Sequence, residues 1–248
     1  MIYFIGASCG DPDLITVKGM KILQKADAIL YTGSLVPKEV LSWCKDDAIL
    51  VDSQGMKYQE IFDFLVQHSQ DENKIVVKLH TGDTSIYSTI AKQIEFLNTQ
   101  NIKYRVIPGV SAAFGAAASL GIEYTIPGVS QTIVLTRVEG KTPNPEDLQN
   151  ILALKNSSLV FYLSILLLKK LKKQALEMGY NSNTPCWVVE KATWEDEKIY
   201  KGTISDIENQ VSHIKGIALI LFGNFLNQKE TEKSHLYVKP LVKELDMK

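Results

Sequence analysis

The stretch "YFIGASCGDPDLIT", residues 3–16, joins an apolar strand to a helical pattern through a turn that contains Gly6 and Gly10. These glycines let the backbone of the turn approach another group closely, because neither residue carries a Cβ. The turn lacks the Gly-Lys-Ser/Thr ending of a Walker A loop and the spacing of a G-x-G-x-x-G fingerprint. A strand, a glycine turn and a helix in that order still indicate a nucleotide-like ligand. The structural alternative is a tight turn in which Asp11 or Asp13 lies near the helix start.

The first half of the chain repeats this alternation of strand and helix. The opening strand is followed by the helical pattern "LITVKGMKILQKA". Strand-like runs at "DAILYTG", "AILVDSQ", "KIVVKLHTGD" and "KYRVIPG" are each followed by a helical pattern as well, the first of them "PKEVLSWCK". Alternation of this kind predicts βαβ units and a mainly parallel sheet. Ligands of such sheets bind beyond the carboxyl ends of the strands. We therefore expect the glycine-bearing ends "GASCGD", "HTGD" and "PGVSAA" to share one crevice.

The pattern changes after the small-residue helix "SAAFGAAASLG". A strand at "QTIVLTRV" and a polar, proline-containing loop come next, followed by strands at "SLVFYLS", "PCWVVEKAT", "EKIYKGTI" and "GIALILFG". We predict two α/β domains, residues 1–112 with a mainly parallel sheet and residues 113–248 with a mixed sheet. The tail from Asn227 onward is polar enough to be loosely held.

Composition excludes several classes of protein. The chain has 248 residues, 45% of them hydrophobic and 22% charged, and this balance is typical of a soluble globular protein. Its net charge of −1 gives no overall basic field for nucleic acid. Cys9, Cys44 and Cys186 lie far apart without metal-ligand spacing, which favours a reducing cytoplasm. Neither a signal segment nor an apolar run of membrane-spanning length is evident, so we expect a cytoplasmic protein without a metal, nucleic-acid or membrane partner.

Few residues are arranged for acid–base or covalent chemistry. Asp83 follows Gly82 at a strand end, where its carboxylate would accept a hydrogen bond from a ribose hydroxyl or an ammonium group, or cap the next helix. His80 is expected to be a packed or turn residue, because no second ligand lies at metal spacing. Cys9 has no evident histidine partner, and the sequence contains no G-x-S-x-G elbow. An enzyme built from this chain is expected to position a reactive cofactor beside its substrate.

Six motifs together resemble the tetrapyrrole methylases over nearly the whole chain. The motifs "IGASCGDPDLITVKG", "HTGDTSIYS" and "VIPGVSAAFGAAA" are similar to the general pattern of that family. The motifs "ADAILYTGSLVP", "QTIVLTRVEGKTP" and "KATWEDEKI" resemble the branch that methylates carbon 11 of precorrin-4 or cobalt-precorrin-4. One departure is visible, since Ser8 and Cys9 stand where the family usually has glycine and proline. We expect that change to affect cofactor affinity rather than the type of reaction.

The resemblance implies a homodimeric enzyme of cobalamin biosynthesis, with S-adenosylmethionine bound in a cleft between two α/β domains. Carried over by position, the cofactor-binding residues would be Cys9, Thr81, Gly82, Asp83, Ile86, Ser111, Ala112, Leu163 and Ala192. The branch-specific loops would contact the carboxylates of the tetrapyrrole through Tyr31, Ser34, Arg137 and Lys141. Of these, Arg137 suits a carboxylate because its guanidinium can form a bidentate pair.

Two other functions fit the same motifs. One is a methylase of the same family that acts on another tetrapyrrole carbon or on the diphthamide precursor. The other is a nucleotide-binding regulatory module without turnover, which the glycine loops also suit. The sequence leaves open whether the substrate carries cobalt.

Overall fold

A computed structural model describes residues 1–227 of the chain. Contacts between Cα atoms divide it into two compact units: Met1–Ala116 with Lys191–Glu197, and Ala117–Glu190 with the described residues from Lys198 onward. The predicted domain boundary between residues 112 and 113 stays a prediction, because compactness does not show where independent folding units begin. The predicted loose tail begins at Asn227 and otherwise lies outside the described residues.

The first unit contains a five-stranded parallel sheet in the order β3-β2-β4-β1-β5. Its strands are β1 (Ile2–Gly6), β2 (Ala28–Tyr31), β3 (Ile49–Asp52), β4 (Val76–His80) and β5 (Tyr104–Ile107). The helices that begin in this unit are α1 (Val17–Leu23), α2 (Tyr58–Ser69), α3 (Ile90–Thr99) and α4 (Ala112–Leu120). The predicted alternation and the parallel sheet are confirmed.

Apolar side chains cover both faces of this sheet, as the near-continuous apolar runs of buried parallel strands require. On one face Ile5, Ile29 and Leu79 pack in a buried cluster with Leu23 of α1. On the other face a cluster with Phe4 and Leu30 also contains residues of α2 and α3. Alternate residues of a strand face opposite sides, so Lys78 and His80 share the face of Val76 in this second cluster.

Two predicted helices of the first unit differ from the structure in detail. Thr16 caps α1 by accepting a hydrogen bond from the Gly19 amide at 3.1 Å, and Pro12–Leu14 forms a separate 3₁₀ turn, so α1 begins later than predicted. The run predicted as a helix at "PKEVLSWCK" is a 3₁₀ helix over Lys38–Trp43. Its hydrogen bonds span three residues, as between the Cys44 amide and the Leu41 carbonyl at 3.0 Å.

The second unit contains a mixed sheet in the order β6-β7-β10-β8-β9. Its strands are β6 (Ile133–Arg137), β7 (Ser158–Tyr162), β8 (Pro185–Glu190), β9 (Lys198–Thr203) and β10 (Ala218–Phe222). The β6 and β7 strands are parallel, and the other pairs are antiparallel. The helices are α5 (Leu148–Leu152), α6 (Leu168–Glu177) and α7 (Ile207–Val211). This arrangement confirms the predicted mixed sheet.

The helix α5 was missed by the sequence analysis. It is five residues long and comes just after the stretch read as a polar, proline-containing loop. Asp147 caps it by accepting a hydrogen bond from the Gln149 amide at 3.0 Å. Burial of Leu148, Ile151 and Leu152 stabilises it, and this tertiary contribution exceeds what so short a helix could gain from propensity alone.

Two classes of feature are absent from residues 1–227. None of the helices there combines the length and the apolar character that crossing a bilayer requires. In the same part of the chain, no three His, Cys, Asp or Glu side chains come together as metal ligands.

Candidate functional site

The sheet order makes β4, β1 and β5 neighbours, so their three glycine-bearing carboxyl ends lie side by side. Gly6, Gly82 and Gly109 contact one another through backbone atoms. A Cβ added to Gly6 would lie 2.6 Å from both the Gly109 nitrogen and the Gly82 oxygen. A Cβ added to Gly109 would lie 2.8 Å from the carbonyl carbon of Gly6. This end of the sheet is therefore walled by backbone, as the glycine spacing predicts.

Asp83 braces two of these loops. Its Oδ2 accepts a hydrogen bond from the Gly109 amide at 2.8 Å, and its Oδ1 accepts from the Ser85 amide at 2.8 Å and from the Ser85 hydroxyl. Burial raises the pKa of Asp83, but the hydrogen bonds from Ser85 and Gly109 outweigh it, so the pKa lies below its ordinary value. The carboxylate is thus ionised at neutral pH and holds the β4 and β5 ends together.

Gly82, at the end of β4, also contacts the loop after β1 and the start of α4. The Gly82 amide donates to the Ser8 carbonyl at 2.7 Å, which joins the β4 end to the β1 end. A Cβ on Gly82 would lie 3.7 Å from the Ser111 Cα and 3.8 Å from the Ala112 nitrogen, at the start of α4. Ser111 is buried, and its carbonyl accepts from the Gly115 amide at 3.1 Å. The half-buried Ile86 lies in the turn that follows Asp83.

The turn after β2 lies beside this region. Thr81 is exposed, and its hydroxyl donates to the carbonyl of Leu35. Leu35 lies in the turn that follows β2, next to the exposed Ser34. Tyr31, at the end of β2, is half-buried. The structure therefore places Tyr31 and Ser34 at the same carboxyl end of the sheet as Thr81.

A buried ammonium group lies beneath that turn. Lys78 is 4% exposed, and its Nζ donates to the Ser53 Oγ at 3.0 Å and to the Thr32 Oγ1 at 3.5 Å. Burial lowers the pKa of Lys78 to about 8, although the charge of Asp52 opposes this shift. The ammonium group is held by hydroxyls and is sensitive to pH just above neutrality.

His80 is buried on the same face as Lys78. Burial, together with the charge of Lys78, lowers the pKa of His80 to about 3, despite a hydrogen bond to the Ser88 backbone. Its ring packs against Phe4 with 5.7 Å between centroids, and its Nε2 has no hydrogen-bond partner among residues 1–227. His80 is a neutral, packed side chain at neutral pH, as the sequence analysis expected.

The turn between β8 and β9, residues 191–197, belongs to the first unit and packs on the loop after β1. Ala192, which the resemblance named, is buried there. The Trp194 Nε1 donates to the Cys9 carbonyl at 2.8 Å, and the Thr193 Oγ1 accepts from the Asp11 amide at 3.0 Å. The roles of Thr193 and Trp194 were not predicted, because no local pattern relates residues about 180 positions apart in the chain.

The remaining predicted residues lie in the second unit. Arg137 ends β6 opposite Tyr162, and its guanidinium donates to the carbonyls of Thr142 at 2.9 Å and Pro143 at 2.5 Å. Lys141 is exposed in the loop that Arg137 braces. Leu163 follows β7 with φ of 51° and is 72% exposed. An exposed leucine with left-handed backbone is uncommon, and such geometry concentrates at functional positions.

Comparison with known proteins identifies one family. The sequence model of the tetrapyrrole (corrin/porphyrin) methylases matches residues 1–208. The chain is 44% identical to the cobalt-precorrin-4 C(11)-methyltransferase of Methanocaldococcus jannaschii over 241 residues, which cover 96% of this chain and 93% of the relative. It is 38% identical to the precorrin-4 C(11)-methyltransferase of Mycobacterium tuberculosis over 241 residues, or 95% of each chain.

Solved structures agree with these relatives. The X-ray structure of a cobalt precorrin-4 methyltransferase superposes with a TM-score of 0.86 at 40% identity, covering 91% of this chain and 95% of the other. The uroporphyrin-III C-methyltransferase of Thermus thermophilus, complexed with S-adenyl homocysteine, has a TM-score of 0.77 at 23% identity, covering 91% of this chain and 98% of the other. The second likeness shows the shared fold.

Proposed function

This chain belongs to the tetrapyrrole methylase family, and from that premise we propose that it is an S-adenosylmethionine-dependent methyltransferase of cobalamin biosynthesis that acts on carbon 11 of precorrin-4 or cobalt-precorrin-4. The observation that carries the proposal is the identity of 38–44% to C(11)-methyltransferases over 95–96% of the chain. Relatives named for cobalt-precorrin-4 are 44% and 39% identical and relatives named for precorrin-4 are 37–38% identical, so the proposal covers both substrates.

Most of the residues proposed to hold the cofactor lie in the first unit. The backbone of Gly6, Gly82 and Gly109 forms a cradle in which a Cβ on Gly6 or Gly109 would overlap neighbouring backbone atoms, and such a surface, free of side-chain bulk, suits close contact with a nucleoside. We propose that the backbone and apolar surface of the nine predicted residues hold S-adenosylmethionine: Cys9, Thr81, Gly82, Asp83, Ile86, Ser111, Ala112, Leu163 and Ala192. Asp83 acts mainly by fixing the loops, because each of its oxygens already accepts a hydrogen bond from the chain.

The chemistry requires positioning more than acid–base assistance. When bound, S-adenosylmethionine supplies a methyl group that is already electrophilic, because it is attached to a sulfonium. The protein's part is to align the acceptor carbon and exclude water. This division of roles agrees with the polar groups at the cradle, where Asp83 is ionised and braced and His80 is neutral and packed.

We propose that the substrate carboxylates are bound by Tyr31, Ser34, Arg137 and Lys141. Arg137 donates once through each terminal nitrogen to its own loop. A guanidinium has five N–H groups, so Arg137 retains donors for a carboxylate while it holds the loop in place.

We propose further that the protein acts in the cytoplasm as a homodimer without a nucleic-acid or membrane partner. The family resemblance and the net charge of −1 support this part of the proposal.

The test is a transfer assay with a panel of acceptors. The purified protein is incubated with S-adenosylmethionine carrying an isotope-labelled methyl group and with cobalt-precorrin-4, precorrin-4 or uroporphyrinogen III. Mass spectrometry and NMR then locate the label. We expect one labelled methyl group on carbon 11 of a precorrin-4 substrate and none on uroporphyrinogen III.

Each other outcome contradicts a defined part of the proposal. The uroporphyrinogen-III C-methyltransferase of Bacillus subtilis is 32% identical, so label on uroporphyrinogen III would identify that activity instead. Label on another carbon would overturn the assignment of the position. Absence of any transfer by folded protein would contradict an enzymatic role. Sedimentation of the protein as a monomer would contradict the homodimer.

A further inference from the structure

The loop after β1, residues 7–11, holds its shape through contacts with the turn at residues 191–197. Two backbone groups of the loop are bound by side chains of that turn. The Trp194 Nε1 donates to the Cys9 carbonyl at 2.8 Å, and the Asp11 amide donates to the Thr193 Oγ1 at 3.0 Å. The Thr193 hydroxyl also lies 3.4 Å from the Cys9 Sγ. The turn therefore fixes the loop on both sides of Gly10.

The loop after β1 packs so closely on the turn and on α4 that positions 10 and 115 have no room for a side chain. A Cβ on Gly10 would lie 2.6 Å from the Trp194 nitrogen and from its ring Cδ1, and 2.7 Å from the Ala192 oxygen. A Cβ on Gly115 of α4 would overlap the Cys9 Sγ and lie 3.0 Å from the Thr193 Cγ2. Glycine at positions 10 and 115 thus makes room for the loop, the turn and the Cys9 side chain together.

The turn itself is internally braced. The Thr193 amide donates to the Glu197 Oε2 at 2.6 Å, and the Trp194 amide donates to the Lys191 carbonyl at 3.0 Å. Lys191 pairs with Asp196, and its Nζ lies 5.6 Å from the centre of the Trp194 ring. Lys191 and Thr193 have φ values of 52° and 66°, so two non-glycine residues are held in the left-handed region. Such a conformation persists only where contacts with the surrounding structure hold it in place.

The loop needs this support more than a glycine-proline loop would. Ser8 has φ of 70°, a left-handed value that costs a non-glycine residue on the order of 1 kcal/mol. Cys9 leaves φ free where a proline would restrict it. Without external contacts, the backbone of Ser8 and Cys9 would gain freedom by leaving the conformation that meets Gly82.

We propose that Thr193 and Trp194 are positioning residues for the cofactor, which hold the Asp11 amide and the Cys9 carbonyl so that the loop after β1 presents a preformed edge to S-adenosylmethionine. The inference rests on the proposed function. Thr193 and Trp194 act on the cofactor through the loop after β1. Their removal should weaken cofactor binding by releasing the loop, while the rest of the cradle at Gly82 and Gly109 stays intact.

The experiment compares conservative variants with matched controls. Thr193→Val removes the hydroxyl, Thr193→Ser retains it, and Trp194→Phe removes the indole N–H. The controls are Thr99→Val on the exposed end of α3 and Trp187→Phe in β8. Calorimetry gives the affinity for S-adenosylhomocysteine, amide hydrogen exchange gives the protection of the Asp11 amide, and urea unfolding gives the global stability.

We expect Thr193→Val and Trp194→Phe each to weaken S-adenosylhomocysteine binding by about 5- to 20-fold. The Asp11 amide should exchange faster in Thr193→Val under conditions where the global stability is retained. Thr193→Ser and both controls should remain within about 2-fold of the wild-type affinity. If Trp194→Phe fails to fold, the pair Thr193→Val and Thr193→Ser decides the matter.

Wild-type affinity in Thr193→Val, with unchanged exchange at Asp11, would overturn the inference. So would equal losses of affinity in Thr193→Val and Thr99→Val. Failure of the proposed function gives a different result. In that case folded wild-type protein would not bind S-adenosylhomocysteine at all, whereas the exchange of the Asp11 amide would still report whether Thr193 holds the loop.

Discussion

The two ends of the first sheet are closed by different means. At the amino end, Asp27 precedes β2 and pairs with the Lys45 Nζ at 2.8 Å and the Lys74 Nζ at 3.2 Å, and it also accepts from the Ile75 amide at 2.8 Å. At the carboxyl end, backbone atoms of Gly6, Gly82 and Gly109 meet directly. Side-chain ion pairs close the first end, whereas backbone contacts form the second and leave it without side-chain bulk.

Charge shows the same contrast. The hydrogen bonds from Lys45 and the Ile75 amide hold the pKa of Asp27 well below its ordinary range, so its charge stabilises the fold. Burial lowers the pKa of Lys78, near the carboxyl end, which means that burial destabilises its charged form. Groups whose charge is destabilised by their surroundings concentrate at functional sites. The difference supports the proposal that the carboxyl end binds the cofactor, whereas the ion pairs of the amino end stabilise the fold.

An open groove of about 650 Å³ lies near the amino ends of the strands, where Tyr3 and Ile75 contribute to its wall. The cations that line it are Lys18, Lys21, Lys25 and Arg105. This groove lacks the convergent glycine backbone that distinguishes the carboxyl end.

The largest effect is expected from Gly109→Ala. The new Cβ would overlap the Gly82 oxygen and lie 2.8 Å from the Gly6 backbone, and backbone atoms cannot move aside as a flexible side chain would. We expect a loss of at least about 3 kcal/mol in the free energy of unfolding. The matched control is Gly216→Ala, where nothing lies within 4 Å of the added Cβ. Similar urea midpoints for both variants would show that the backbone contact is not tight.

The second prediction concerns Lys78 and pH. Burial lowers the pKa of Lys78 to about 8 in the folded protein, against its ordinary value of 10.5 in the unfolded chain. Between these values the unfolded chain binds more protons, so the Lys78 contribution makes stability rise with pH. We expect wild type to gain about 2–3 kcal/mol relative to Lys78→Met between pH 8 and pH 10.5.

Urea unfolding of both proteins across that range measures the Lys78 contribution. The difference between them removes the opposing titrations of Cys44 and Cys186, whose pKa values burial raises to about 11 and about 12. Parallel pH profiles for wild type and Lys78→Met would contradict a buried, titrating ammonium group.

A smaller effect, whose pH dependence is confined to acidic pH, is expected at the amino end. Asp27→Asn removes the charge that Lys45 and Lys74 pair with, and half of the Lys74 side chain is exposed to screening solvent. We expect a loss of about 1–2 kcal/mol at pH 7. The folded pKa of Asp27 lies below the unfolded value, so this contribution is present above pH 3.8 and is lost as the pH falls further.

Unfolding experiments at pH 7 and pH 3 measure the Asp27 contribution. The gap between wild type and Asp27→Asn should narrow at the lower pH. A gap that stays constant would mean that the carboxylate charge does not stabilise this end of the sheet.

The smallest effect is expected from Ser8→Gly. Glycine relieves the left-handed strain at φ of 70° but adds freedom to the unfolded chain, and these two effects nearly cancel. We expect a change within about 0.5 kcal/mol, whereas Ser69→Gly at the end of α2 should cost about 0.5–1 kcal/mol. Equal losses for the two variants in thermal unfolding would show that Ser8 is not strained.

Local patterns allowed much of the fold and part of the site to be predicted. Strand and helix periodicity identified both sheets, and the glycines identified the end of the first sheet where Gly6, Gly82 and Gly109 meet. Periodicity could not predict α5, because five residues give too little pattern. Contacts between distant residues were also beyond reach, including those of Trp194 with Cys9. The pairing of Arg137 with the carbonyls of its own loop depends on a loop conformation that no local rule specifies.

One pair of variants examines whether the glycine-walled end of the first sheet binds the cofactor, as we propose. Gly82 and Gly121 both have φ of 64°, so alanine at either position carries the same left-handed strain. A Cβ on Gly82 would fit at 3.7 Å or more from its neighbours, and one on Gly121 would have nothing within 4 Å. Calorimetric titration with S-adenosylhomocysteine should show binding at least about 10-fold weaker in Gly82→Ala and within about 2-fold of wild type in Gly121→Ala. Equal, wild-type affinity in both variants would place the cofactor elsewhere and contradict the account.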